Sequence, residues 1–189
     1  MNFLEERIVK DGTVKAGNVL KVDSFLNHQM DVTLLDEIGA ELHRRFKDCG
    51  VTKVFTIEAS GIAIAVAAAF YFQVPAVFAK KSKSNNVAHD VLTSSVKSFT
   101  RGITYEICVS SEYICKGDKV LIVDDFLASG SALGGLIEIV ESAGAEVVGV
   151  SAAIEKGFQG GGDALREKGV RVESLAIIDE MSEDSIRFR

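Results

Sequence analysis

Apolar residues change their spacing along this chain, and the spacing predicts strands that alternate with helices. Val120 to Val123 is a run of four apolar residues between Lys119 and two acids, which is typical of a strand buried on both faces. Beyond it, apolar residues fall at i, i+3, i+4 and i+7, as on one face of a helix: Leu133, Leu136, Ile137 and Val140. The pattern therefore predicts a strand, a short loop and a helix N-terminus in close succession.

The other apolar stretches repeat this alternation. Residues at steps of four predict a helix over about 34–48, ended by Gly50. The remaining predicted elements are a short N-terminal helix, extended pieces at 19–22, a strand at 54–57, a buried helix at 62–72, an apolar run at 76–79, a strand at 146–154, a flexible surface turn at Gly160-Gly161-Gly162, a short helix at 163–168, a last strand at 170–178 and a polar tail. We therefore predict an α/β fold, a mostly parallel open sheet with helices on both faces, as one domain over residues 1–189.

Residues 81–105 interrupt this alternation. The stretch follows Lys80 and opens on Lys81-Ser82-Lys83, and regular alternation of apolar and polar residues returns only from Ile103 to Val109. We predict a long flexible loop between two core strands, folded in part as a β-ribbon. Long loops in compact domains are usually functional or disordered.

Composition narrows the possible partners. The 189 residues carry a formal net charge of -6, which argues against sequence-independent binding of nucleic acid, since that requires a basic face. The three cysteines have no metal-ligand spacing and are typical of thiols in a reducing compartment. The first residues have no basic, apolar leader, and no apolar run is long enough to span a bilayer. A cytoplasmic protein with no membrane partner is therefore expected.

The loop after the central strand has the chemistry of a phosphate site. Ala128-Ser129-Gly130-Ser131-Ala132 offers backbone N–H groups, two hydroxyls and a turn-forming glycine at a helix N-terminus. Asp124 and Asp125 would repel a bare phosphate, so we expect them to accept hydrogen bonds from vicinal hydroxyls. A ligand with both features is a ribose 5-phosphate. The alternative is that the acids cap the next helix and that the turn binds nothing.

The run from Val120 to Ala132 resembles the 5-phosphoribosyl-1-diphosphate motif of type I phosphoribosyltransferases. The resemblance implies the type I fold with a small hood, formed by residues of about 1–32 and 155–189. Many members of the family close this loop with a threonine where this chain has Ala132, so that one hydroxyl donor is absent. Ser131 could supply it.

The resemblance also gives a role to a second loop and to the basic stretch. Ala59, Ser60 and Gly61 follow a predicted strand, and the corresponding loop of the family holds pyrophosphate; as a bare sequence, any tight turn between a strand and a helix looks similar. The lysines at 80, 81 and 83 could be a solvated face. Beside a diphosphate, a closing basic loop would cancel charge and exclude water, and Lys81 is the favoured contact. In related enzymes this loop often reaches the neighbouring subunit, which implies a homodimer.

Three residues are candidates for binding a base. Lys156 ends a predicted core strand, at the sheet edge where ligands bind in open α/β folds, although it could be a surface lysine. An ammonium group only donates, so it suits the carbonyl of an oxopurine better than the amino group of adenine. Asn27 can donate and accept, and the backbone near Leu20 could pack on the ring or bond to it.

Residues 17–31 and 154–158 resemble those of the bacterial xanthine phosphoribosyltransferases, and the resemblance extends over the whole chain. It implies transfer of the 5-phosphoribosyl group from 5-phosphoribosyl-1-diphosphate to xanthine in purine salvage, with Mg²⁺ carried by the diphosphate substrate. Asp124, Asp125 and Lys81 would then be the catalytic residues, with no protein metal site. The alternatives are a hypoxanthine-guanine or other purine phosphoribosyltransferase, a non-catalytic sensor of purines, and an α/β nucleotide-binding module of other role.

Overall fold

The computed structural model describes residues 1–81, 90–97 and 103–189. Its helices are α1 (Phe3–Asp11), a π-helix (Asp23–Asn27), α2 (Val32–Phe46), a 3-10 turn (Lys47–Cys49), α3 (Gly61–Phe72), α4 (Ser131–Ser142), a 3-10 turn (Gly157–Gln159) and α5 (Gly161–Glu167). Its strands are β1 (Thr13–Lys15), β2 (Val19–Lys21), β3 (Lys53–Ile57), β4 (Ala76–Ala79), β5 (Val91–Lys97), β6 (Thr104–Ser110), β7 (Lys119–Leu127), β8 (Glu146–Lys156), β9 (Ala176–Met181) and β10 (Ile186–Phe188).

The central sheet has the strand order β10-β9-β8-β7-β3-β4. Each neighbouring pair from β9 to β4 is parallel, and β10 is antiparallel at the edge. The chain steps outward from β3 to β4 in one direction and from β7 to β8 and β9 in the other. The carboxyl ends of β3 and β7 therefore lie side by side where the winding reverses, which is where open α/β sheets bind ligands.

Successive residues of the central strands point to opposite faces of the sheet, and each face is covered by helices. Val54 and Leu121 belong to a core that includes the apolar faces of α2 and α3. Phe55 and Ile122 belong to a second core with the apolar face of α4. The predicted fold class is confirmed. Helices cover both faces of the sheet, and this is why its central strands are apolar on both sides.

Two predictions about the outer elements are wrong, and one further strand is present. The helix at 62–72 is not buried all round, since Val66 and Phe70 on α3 are 56% and 68% exposed. The last predicted strand does not begin at residue 170, because β9 starts at Ala176 and the preceding residues make one isolated bridge. The further strand is β10, which lies in the predicted polar tail and pairs with β9.

The strands β5 and β6 form a separate antiparallel ribbon, with Val91 opposite Ser110 and Lys97 opposite Thr104. The ribbon packs on α4, where the Ser94 hydroxyl donates to the Glu138 carboxylate at 2.6 Å. The predicted ribbon is thus present. Residues 82–89 and 98–102, which include Lys83, lie outside the described residues, so the predicted flexibility of the loop stays a prediction.

Within the described ranges, no helix is both long enough and apolar enough to cross a membrane.

Candidate active site

The first part of the site is the turn between β7 and α4. Gly130 has a φ of +81°, which side chains other than glycine rarely adopt, and it immediately precedes the helix. Among the described residues, no side chain caps the first N–H groups of α4. The hydroxyls of Ser129 and Ser131 lie 3.1 Å apart beside them. Uncapped N–H groups with two hydroxyls form a seat suited to an anion.

The two acids lie within β7 itself, because the strand continues to Leu127 beyond its predicted end. Asp124 is 5% exposed and Asp125 is 8% exposed. The Asp124 carboxylate accepts the main-chain N–H of Asp125 at 2.9 Å. In the part of the chain that the structure describes, no basic side chain lies within ion-pair distance of either acid. The alternative of acids that cap the following helix is not what the structure shows, since that helix has no side-chain cap.

The electrostatic state of Asp124 follows from this placement. Burial raises the pKa of the Asp124 carboxyl well above its ordinary value, and the neighbouring charge of Asp125 raises it further. The positive charge of Lys81 acts in the opposite direction and lowers that pKa. A buried acid with little cationic compensation is poised to interact with hydroxyl donors or with positive charge that arrives with a ligand.

The second part of the site is the turn between β3 and α3. The peptide between Glu58 and Ala59 is cis. Ser60 precedes α3, whose first N–H groups are uncapped by any described side chain. A Cβ atom on Gly61 would collide with the Thr56 hydroxyl and would stand 2.9 Å from the Asp124 carboxylate. Glycine is therefore needed at position 61 for this turn to lie against Thr56 and Asp124.

Lys81 lies next to this second turn. Its main-chain N–H donates to the Glu58 carboxylate at 2.6 Å, which fixes the start of the 81–105 segment beside residues 58–61. The Lys81 side chain is exposed. The structure thus brings Lys81, Gly61 and Asp124 into one region.

Thr56 is a polar residue of this region that the sequence analysis missed. It is fully buried in β3, and its hydroxyl has no hydrogen-bond partner among the described residues. A single threonine in an apolar strand carries no signal of its own, because β-branched residues are common in strands. Only its position beneath Gly61 makes it part of the site.

Lys156 ends β8 and is not a free surface lysine. Its ammonium donates to the main-chain oxygen of Asn18 at 3.0 Å and lies 5.6 Å from the centre of the Phe126 ring. Burial lowers the pKa of the Lys156 ammonium. Asn18 lies in the turn of the β1–β2 hairpin, so this bond places the hairpin over the end of β8. Leu20 belongs to the same hairpin and is 6% exposed.

Asn27 ends the π-helix, and its side-chain oxygen is buried with no partner among the described residues. A buried acceptor that lacks a donor is costly, so this oxygen is expected to meet a donor from a ligand or from water. No hydrogen bond joins Asn27 to Lys156 within the described part of the chain. The structure therefore connects Lys156 to the hairpin that carries Leu20. Asn27 lies in the π-helix that follows this hairpin and is not bonded to Lys156.

The glycine run at 160–162 was predicted to be a flexible surface turn, and this prediction is wrong. Gly161 and Gly162 are buried, and they begin α5. The Gly161 N–H donates to the main-chain oxygen of Ala128 at 3.2 Å. A run of glycines is typical of flexibility and of close backbone approach alike, and the sequence did not distinguish the two.

Comparison with known proteins agrees with this geometry. The family model described as "Phosphoribosyl transferase domain" matches residues 21–182. A protein of Lachnoclostridium phytofermentans named xanthine phosphoribosyltransferase is 56% identical over 182 residues, covering 96% of this chain and 94% of its own. A protein of Clostridium botulinum named xanthine phosphoribosyltransferase 2 is 53% identical over 190 residues and covers 100% of both chains.

Solved structures also resemble the chain. The adenine phosphoribosyltransferase of Giardia lamblia, complexed with 9-deazaadenine, has a TM-score of 0.77 at 21% identity and covers 96% of this chain and 100% of its own. The corresponding enzyme of Leishmania tarentolae has a TM-score of 0.77 at 21% identity, with coverage of 96% and 90%. At such identities the likeness shows the type I fold alone. The family match and the full-length relatives show that this chain belongs to the phosphoribosyl transferase family.

Proposed function

We propose that this protein transfers the 5-phosphoribosyl group of 5-phosphoribosyl-1-diphosphate to xanthine, which yields xanthosine 5'-monophosphate and pyrophosphate in purine salvage. The observation that carries the proposal is the identity of 53–56% over essentially the full chain to proteins named xanthine phosphoribosyltransferase. The arrangement of two uncapped helix N-termini around a pair of buried acids supports the same reaction.

The 5-phosphate and the ribose diol occupy the β7 side of the site in this proposal. Residues 128–132 donate to the phosphate, and Asp124 and Asp125 accept from the ribose hydroxyls. The bond between the anomeric carbon and the diphosphate breaks while a base nitrogen bonds to that carbon, and the proton of that nitrogen passes to water or to the departing diphosphate. The transition state resembles an oxocarbenium ion, as in other glycosyl transfers. The buried carboxylates place negative charge near the developing cation, so no covalent nucleophile is required.

The diphosphate occupies the β3 side. Ala59, Ser60 and Gly61 present backbone N–H groups, and Lys81 adds a positive charge beside them. Lys81 is the only charged residue among the proposed diphosphate contacts, and it is exposed.

Magnesium fits this site as an ion that arrives with the substrate. Among the described residues, no group of three or more His, Cys, Asp or Glu side chains could hold a metal ion. Mg²⁺ keeps several oxygen ligands and is usually bound through substrate phosphates with one or two carboxylates. Oxygens of the substrate's diphosphate and ribose would supply its ligands. When bound, the ion would neutralise charge on the leaving diphosphate.

The base lies at the end of β8 in this proposal. Lys156 exchanges the main-chain oxygen of Asn18 for a carbonyl of the base, and both acceptors suit an ammonium donor. The unpaired oxygen of Asn27 accepts a ring N–H, which xanthine supplies. The backbone around Leu20 closes over the ring.

The test is turnover with 5-phosphoribosyl-1-diphosphate and Mg²⁺ against xanthine, hypoxanthine, guanine and adenine, with pyrophosphate release as the measurement. We expect xanthine to give the highest kcat/KM. A higher kcat/KM with hypoxanthine or guanine would favour the hypoxanthine-guanine alternative. Absence of pyrophosphate release with every base, together with binding of the diphosphate, would favour a sensor.

The proposal includes a homodimer. Four exposed apolar side chains lie on α3, on β4 and after β6, and such surfaces commonly mark protein contacts: Val66, Phe70, Phe78 and Tyr113. Two of them, Phe78 and Tyr113, line a groove of about 460 Å³ together with Pro75 and others. Light scattering during size-exclusion chromatography should give twice the mass of the chain. A Phe70→Asp substitution should lower that mass to one chain if α3 forms the contact.

The reaction is proposed to occur in the cytoplasm. The three cysteines of the chain, all within the described residues, form no disulfide. That state fits a reducing compartment.

A further inference from the structure

The short helix α5 lies directly on the turn that is proposed to bind the 5-phosphate. Gly161 is buried, and its N–H donates to the Ala128 oxygen at 3.2 Å. A Cβ atom at this position would collide with the Ala128 oxygen and the Ser129 carbonyl carbon, and would lie 2.5 Å from the Gly130 nitrogen. All three are backbone atoms, which cannot rotate aside as a flexible side chain would. The turn and the helix can therefore keep their positions only with glycine at 161.

A partly buried ion pair fixes α5 to the end of β8. Glu155 is fully buried, and its two carboxylate oxygens accept from the Arg166 guanidinium at 2.9 and 2.7 Å. The Ser174 hydroxyl donates to the same carboxylate at 2.5 Å. A Cβ atom on Gly162 would collide with this carboxylate, which shows how closely the start of α5 approaches β8. A bidentate pair of this kind gives geometric specificity as well as energy.

We propose that Gly161 is a positioning residue for the 5-phosphate, held in place by the ion pair of Glu155 and Arg166. The inference rests on the proposed function, since it assigns residues 128–130 to the 5-phosphate. The N–H groups of that turn have no side-chain cap, so what sets their direction is the backbone packed behind them. Gly161 supplies that backbone. A shift of the turn by a fraction of an ångström would misdirect several donors at once.

The test compares two alanine substitutions by titration calorimetry with two separate probes. Ribose 5-phosphate reports the β7 side of the site, and pyrophosphate with Mg²⁺ reports the β3 side. We expect Gly161→Ala to weaken ribose 5-phosphate binding about tenfold, as the loss of one or two charge-assisted hydrogen bonds would, and to leave pyrophosphate binding within about twofold.

Gly134→Ala is the matched control. Gly134 lies in α4, one turn beyond the proposed phosphate seat, and a Cβ atom there meets nothing within 4 Å. We expect its affinities for both probes to equal those of the wild type. Thermal unfolding of each variant shows whether a change in affinity reflects loss of folded protein.

Arg166→Lys extends the test if Gly161→Ala does not fold. It keeps a positive charge opposite Glu155 and loses the bidentate geometry, so we expect a loss of ribose 5-phosphate affinity of about threefold with pyrophosphate binding unchanged. Unchanged affinity for ribose 5-phosphate in a folded Gly161→Ala protein, or equal losses for both probes, would overturn the inference while the proposed function stood. A wild-type protein that binds neither ribose 5-phosphate nor 5-phosphoribosyl-1-diphosphate would overturn both.

Discussion

The turns after β3 and β7 have the same local construction and differ in what surrounds them. Each follows a buried parallel strand, each contains small residues, and each leads into a helix whose first N–H groups no described side chain caps. The β7 turn lies after two buried acids and against the backbone of Gly161. The β3 turn lies above Thr56 and beside Lys81. The comparison shows that two turns of similar construction can have neighbours of opposite charge.

That difference matches the two ends of the proposed substrate. A seat next to buried carboxylates suits a phosphate whose sugar also carries a diol, because the acids would repel an anion with no hydroxyls. A seat next to an exposed lysine suits a leaving diphosphate, whose charge must be cancelled during the reaction. Substitutions that affect one side alone test whether the two turns are specialised in this way.

The largest effect is expected from Asp125→Ala, which removes an acceptor from the β7 side. Loss of one charged contact to the transition state should cost roughly 2–4 kcal/mol, or a fall in kcat of about 30- to 1,000-fold. The acid makes no ion pair with a described residue, so the fold should survive. Steady-state kinetics with xanthine gives the measurement. A rate near that of the wild type would exclude the proposed role, and pyrophosphate binding should stay unchanged.

The opposite substitution is Lys81→Ala, which affects the β3 side. The hydrogen bond to Glu58 comes from the Lys81 backbone and remains, so only the ammonium group is lost. We expect pyrophosphate affinity to fall about tenfold and ribose 5-phosphate affinity to stay constant, since one charged hydrogen bond is worth about 1.5–3 kcal/mol. Calorimetry with each ligand measures both. Equal losses would show that the two seats are not independent.

A third test uses the burial of Asp124, which lies between the two turns. Its pKa is raised on folding, so ionisation of the carboxyl destabilises the folded protein. This cost is complete above the folded pKa and declines as the pH falls from the folded pKa toward the ordinary value of 3.8. Asp124→Asn should therefore stabilise the protein at pH 8 by about 1 kcal/mol, or roughly 2–4 °C in Tm, while it lowers activity. The difference in Tm should shrink at pH 5. A Tm difference that grows on acidification would contradict the argument.

The smallest effect is expected from Thr56→Val, which replaces a buried, unpaired hydroxyl by a methyl group of similar size. Removal of such a group is neutral or stabilising, here by about 0.5 kcal/mol. Urea denaturation measures the free energy of unfolding. A loss of stability above 1 kcal/mol would mean that the hydroxyl has a partner, such as an ordered water, in the free protein.

The sequence predicted the strands and helices that form the site because their signals are local. The apolar run before Asp124 and the helical spacing after Ala132 lie in one short segment, and the structure has β7 and α4 there. The wrong predictions concern features that distant residues decide. The apolar helix α3 exposes Phe70 because only one side of it meets the sheet, and hydrophobicity alone cannot show which sides are covered.

The glycine run from 160 to 162 shows the same limit. Its sequence allowed a free turn or a close contact, and the identity of the contact depends on residues about thirty positions earlier in the chain, at Ala128. The strand β10 was missed because it has only three residues, Ile186 to Phe188, and so brief an alternation of apolar and polar residues is too short to identify a strand.

The sequence by itself determined that two buried strands end in small-residue turns before helices and that one of them carries paired acids, since strand burial and helix starts follow from nearest neighbours. Tertiary structure alone decided that these turns lie side by side and that Gly61 lies against Asp124. It also decided that Lys156 bonds to the hairpin at Asn18 and that Gly161 packs on the turn at residues 128–130. These are contacts between segments far apart in the chain. They depend on strand order and on close backbone packing, which no local pattern encodes.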